Sequence, residues 1–73
     1  MIMYFQNSRG VRREIGRGTE SECLQIMQDF LDDHNFKSYY TRVWMVDPHT
    51  KQYDVGSHTE FFYCVNPDGW DSL

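Results

Sequence analysis

Long apolar runs are absent from this 73-residue chain. No stretch is long enough to cross a bilayer as a helix, and the N-terminus lacks the layout of a signal peptide. The expected location is therefore the cytoplasm. Cysteine is scarce. Cys23 and Cys64 stand alone, with neither a CxxC pair nor a disulfide framework. Both lie among apolar residues, so two reduced core thiols are expected. Glycine never takes the spacing of a phosphate-cradling loop. His34, His49 and His58 share no metal-ligand spacing with each other or with the cysteines. No metal and no cofactor is expected. Repeats and low-complexity segments are missing too.

Basic residues are few, seven against eleven acidic ones, giving a net charge of −4. An acidic majority disfavours binding to a nucleic-acid backbone. The balance is uneven, however. Residues 1–18 carry Arg9, Arg12, Arg13 and Arg17 against Glu14 alone, and residues 19–73 carry the acidic excess. A basic patch at one end thus keeps a nucleic-acid reading open.

A chain this short is one domain, 1–73, and buries only ~60% of its unfolded surface. Five Phe, five Tyr and two Trp compensate, because aromatics carry much area per residue. Dimerisation is another route to stability.

The residues from Thr19 to Phe36 form the organising element. At ~100° per residue, Cys23, Leu24, Ile26, Met27, Phe30, Leu31 and His34 fall within roughly 160° of arc. Glu22, Gln25, Gln28, Asp29, Asp32 and Asp33 lie opposite. Thr19 caps the start, and Glu22 is placed to reach back to it. Asn35 tolerates a left-handed closure that would set Phe36 on Leu31. Asp32 and Asp33 sit at the negative end of the helix dipole, where each costs roughly 0.3–1 kcal/mol if exposed.

Strands are expected on either side. Met1 to Gln6 and Val11 to Ile15 flank the turn Asn7-Ser8-Arg9-Gly10. Gly16-Arg17-Gly18 is a connector into the helix. Ser38 to Val46 and Lys51 to Val55 flank Asp47-Pro48-His49-Thr50, and Glu60 to Val65 follows a polar bend. The order ββαβββ predicts an α+β fold. Four to five antiparallel strands make one sheet, with one amphipathic helix on one face. Both sheet faces read as apolar, since within each strand apolar residues point both ways: Ile2 and Tyr4 oppose Met3 and Phe5, Tyr39, Val43 and Met45 oppose Tyr40, Trp44 and Val46, and Phe61, Tyr63 and Val65 oppose Phe62 and Cys64. One helix covers one face. The Trp70 tail, a second subunit or a partner must cover the rest.

Asp54 to Glu60 places Asp, Ser, His, Thr and Glu within seven residues. Adjacent residues on a bend point apart, which is poor geometry for a nucleophile, a base and an orienting group. No catalytic residue is assigned, and an enzyme centred on His58 ranks last. The leading expectation is a protein-binding module. Glu22, Asp29, Asp32 and Asp33 supply an acidic face, and Tyr40, Trp44 and His58 supply an apolar and loop anchor. The alternative is a nucleic-acid module using Arg9, Arg12, Arg13 and Arg17 with strand aromatics as stacking platforms.

Phe36-Lys37-Ser38-Tyr39-Tyr40-Thr41-Arg42-Val43-Trp44 and Tyr53-Asp54-Val55-Gly56-Ser57-His58-Thr59-Glu60-Phe61-Phe62 resemble small uncharacterised proteins of Firmicute bacteriophages and prophages. The opening Met-Tyr-Phe-Gln-Asn-Ser is similar to them too. The resemblance carries no functional residue with it. It implies a bacterial host cell and a modulator or inhibitor of a host protein, for example a defence nuclease of the CRISPR kind. A homodimer remains the other expected partnership.

Overall fold

A computed structural model describes residues 1–34, 42–56 and 59–70. Five strands and one helix follow the predicted order. They are β1 (Ile2–Gln6), β2 (Arg12–Arg17), α1 (Glu20–Asp33), β3 (Arg42–Asp47), β4 (Thr50–Asp54) and β5 (Phe61–Val65). All pairings are antiparallel, and the strands lie in the order β2-β1-β5-β4-β3. The two hairpins are thus joined through β5, which slots between β1 and β4. No helix among the described residues is long and apolar enough to cross a membrane.

The β1–β2 turn forms as its residues dictate. Gly10 N–H donates to the Asn7 carbonyl at 2.9 Å, and the Asn7 side chain accepts from Arg9 and Val11 N–H. Gly10 takes φ +81°, which L side chains rarely adopt. β2 runs two residues further than expected. Gly16 and Arg17 belong to the strand, not to a connector, and pair with Met3 and Ile2. A register shift between Met3 and Tyr4 inserts Ile15 as the extra residue. The reason for glycine at position 16 is close packing, since a Cβ there would collide with the Ile26 side chain. Val11 lies outside the strand and is exposed.

The helix starts as its cap residues require. Thr19 Oγ1 accepts from Glu22 N–H at 3.2 Å, and Glu22 Oε1 accepts from Thr19 N–H at 3.0 Å. These bonds to Thr19 hold the Glu22 carboxyl below the ordinary carboxylate range. Replacing Thr19 by Ala removes one arm of this box and is expected to cost about 1 kcal/mol, read as a lowered urea midpoint with an unchanged slope. At the other end His34 is the cap, and the closure predicted at Asn35 and Phe36 lies outside the described residues. His34 is exposed, not partly buried as its place in the apolar arc implied. Its ring stacks on Phe30 with centroids 4.0 Å apart, and Nδ1 lies 2.9 Å from the Phe30 carbonyl.

Cys23, Met27 and Leu31 form the buried stripe of the helix. Leu24, counted with the apolar face, is exposed, because it lies at the margin of the arc. The stripe packs on Met3, Phe5, Tyr53, Val55, Phe62 and Cys64, with Ile15, Phe30 and Trp70 at its rim. The helix therefore covers the Met3/Phe62 face and sits over β1 and β2. Phe30 reaches both Phe5 (4.6 Å) and Phe62 (5.5 Å). Lys51, on the same side of β4, is buried. It pairs with Glu20 at 3.2 Å and lies 3.8 Å from the centre of the Trp70 ring. Trp70 docks as one of the expected covers, but on the helix side. Its Nε1–H donates to the His49 carbonyl at 3.0 Å and its backbone N–H to the Pro48 carbonyl at 2.9 Å.

Candidate functional site

Ile2, Tyr4, Phe61, Tyr63 and Trp44 lie on the sheet face without the helix, as strand alternation requires. Tyr4, Tyr63, Gln52 and Trp44 stand in one cross-strand row. Arginines lie over these rings. The Arg12 guanidinium is 3.7 Å from the centre of the Tyr63 ring, and that of Arg42 is 5.9 Å from the Trp44 ring. Tyr63 is consequently buried, although no helix covers it.

The basic patch does not assemble on this face. Arg12 and Arg17 share it, but Arg13 pairs opposite Phe5 and belongs to the other side, while Arg9 sits in the turn. Arg17 is engaged by Glu14 through two bonds of 2.8 and 2.9 Å, and this pairing holds the Glu14 carboxyl low. Arg42 pairs with Asp54 at 3.2 Å. Much of the positive charge near the aromatic row is thus matched within the chain.

The acidic face does assemble. At 100° per residue Glu22, Asp29 and Asp33 fall within about 40° of arc, with Asp32 on their flank. All four are exposed. Gln25 donates to Asp29 at 2.9 Å and Gln28 to Asp32 at 3.0 Å, both neutral partners. Between Glu20 and Asp33 the helix carries no Lys or Arg. Asp29 and Asp33 are like charges four residues apart, an arrangement that costs a few tenths of a kcal/mol. Glu22 also has a structural task, in the cap.

The second surface is β3. Val43-Trp44-Met45-Val46 is a run of four apolar residues on an edge strand, and none of them is buried. Val43 keeps 38% and Val46 46% of its surface exposed. The helix lies over the opposite end of the sheet, so no layer covers this strand among the described residues. Apolar content alone, without topology, left this edge hidden in the sequence. Trp44 belongs to it. Tyr40 and His58, predicted beside Trp44, lie outside the described residues.

An open cleft of about 500 Å³ lies between the helix start and the end of β5, lined by Thr19, Glu20, Glu22 and Asp68 among others. Among the described residues no group of three His, Cys, Asp or Glu side chains is placed to hold a metal. No buried side-chain polar atom lacks a partner among them either. Cys23 and Cys64 meet in the core as free thiols. Burial, then the neighbouring Cys23 thiol, pushes the Cys64 thiol up to about 12, so it is a poor nucleophile at neutral pH.

No family model matches the chain, and neither a curated protein nor a solved structure is significantly similar to it.

Proposed function

We propose that this chain is a non-catalytic protein-binding module that modulates a partner protein. The observation that carries the reading is the unburied run Val43-Trp44-Met45-Val46 on an edge strand. Folded domains protect such edges with charge, proline or cover, and an exposed apolar edge invites another chain. Trp44 is the anchor, a residue type that dominates binding hot spots. The helix adds a second contact. Its aspartates, Asp29, Asp32 and Asp33, stand where they weaken the helix, near each other and towards the negative end of its dipole. That arrangement suits a basic protein surface, in the manner of a protein occupying a site that would otherwise take nucleic acid.

The test is a tagged capture from nuclease-treated bacterial lysate, with Trp44→Ala and the triple reversal Asp29→Lys, Asp32→Lys, Asp33→Lys run alongside. One specific protein retained by the wild type and lost from either variant is the expected result. Salt should weaken the contribution of the acidic face, since exposed charges are screened beyond ~10 Å at 0.1 M. Retention that neither variant changes would remove both surfaces from the reading. The alternative rests on the Arg12-over-Tyr63 platform. A gel shift at low salt that Arg12→Ala abolishes would favour nucleic acid instead.

A further inference from the structure

We propose that a second copy of this chain pairs antiparallel with β3, joining two five-stranded sheets into one. This rests on reading β3 as a docking edge and names its occupant.

The sheet has two edges, β2 and β3. β2 is defended by Arg12, Arg13, Glu14 and Arg17 and by its bulge. In β3 charge stands only at the ends, Arg42 first and Asp47 last. Antiparallel pairing of two copies requires a two-fold axis normal to the sheet, so each face stays on its own side. That operation sets the Arg42 end of each strand against the Asp47 end of the other. Each Arg42 is thereby brought to the same end of the seam as the other copy's Asp47, one position out of direct register, and the apolar run meets itself. Arg42 also pairs with Asp54 of its own chain, with 66% of its side chain exposed.

The faces fix the register further. Val43 and Met45 pair with Tyr53 and Lys51 on the helix side, and Trp44 pairs with Gln52 on the other. Pairing centred on Trp44 sets indole beside indole. It also sets Val43 against Met45 of the second copy. The register shift between Met45 and Asp47 ends regular pairing there, which keeps the contact to these few residues.

Net charge does not oppose this arrangement. The acidic helix lies over β1 and β2, at the far end of the sheet. Across the joined sheet the two β1 strands would be about seven spacings apart, roughly 34 Å at ~4.8 Å each. That is several Debye lengths at physiological salt.

The experiment is light scattering on the purified chain from about 1 to about 200 µM, because mass action makes a weak dimer concentration-dependent. The mass is expected to rise two-fold over this range. Val43→Lys with Val46→Lys should hold it at the monomer value while circular dichroism stays unchanged. In addition, mixed Val43→Cys and Met45→Cys chains should cross-link to each other under a mild thiol oxidant, and Val11→Cys should not. A monomer throughout, or a dimer that the lysine variant keeps, overturns the proposal. A monomer that still captures another protein through Trp44 overturns only the self-pairing and leaves the docking edge standing.

Discussion

Phe62→Ala is expected to leave the chain unfolded at 25 °C. Phe62 has no exposed surface and sits where β5 meets the helix, 5.2 Å from the Phe5 ring and 5.5 Å from Phe30. Removing a buried Phe costs about 3–5 kcal/mol through lost transfer energy and the cavity left behind. A domain of this size has on the order of 5 kcal/mol in total. Phe61 supplies the control. It is the neighbouring residue, but its side chain lies on the helix-free face opposite Gln6 and is only partly buried. Phe61→Ala should cost less than half as much. Urea titrations of both variants decide the matter, and equal losses would contradict the assignment of the two faces.

The second large effect is with pH. Burial raises the Cys64 thiol from its ordinary 9.0 and the Tyr53 hydroxyl from its ordinary 10.0, each to about 12. Both groups stay protonated in the fold at pH values where the unfolded chain has released its protons. Above pH 9 the unfolded state therefore binds fewer protons, and stability falls as pH rises. The stabilising difference is fully present below pH 9. It is lost through the window from 9 to 12, at a little over 1 kcal/mol per pH unit for each titrating group. By pH 11 the two losses together reach on the order of 4 kcal/mol, comparable to the whole stability of the domain. Thermal melts from pH 7 to pH 11 should show a steep alkaline fall. Cys64→Ala with Tyr53→Phe should flatten it. An equally steep fall in that double variant would assign the effect to other groups.

The helix and the sheet faces were legible because each rests on a period. Thr19 and Glu22 announce the cap by their spacing, and Cys23, Met27 and Leu31 the buried stripe. The alternation of Phe61, Phe62, Tyr63 and Cys64 assigned each to a face but did not say which face the helix takes. On the face it takes, Ile26 closely approaches Gly16, a long-range fit that leaves only a glycine as its trace. Gly16 instead read as a connector, because glycine marks turns and close contacts alike. Buried Lys51 was equally opaque. It becomes tolerable only when Glu20, thirty-one residues earlier, and the Trp70 ring come together around it. The acidic face was legible as helical spacing. The β3 edge was not, since a strand's place in a sheet depends on all its partners. Tyr40 and His58 lie outside the described residues.

The place of β5 has a consequence for how the chain acquires its structure. β1–β2 and β3–β4 are local hairpins, each able to close over a short turn. Neither can join the other until Phe61–Val65 is available to pair with both. That pairing links Ile2 to Val65 and closes a loop of nearly the whole chain, the kind of distant contact that slows folding. During synthesis the two hairpins and the helix must leave the ribosome before the strand that unites them. Cooperative order therefore waits for β5, and a nascent chain arrested before Phe61 would hold the helix and two unjoined hairpins.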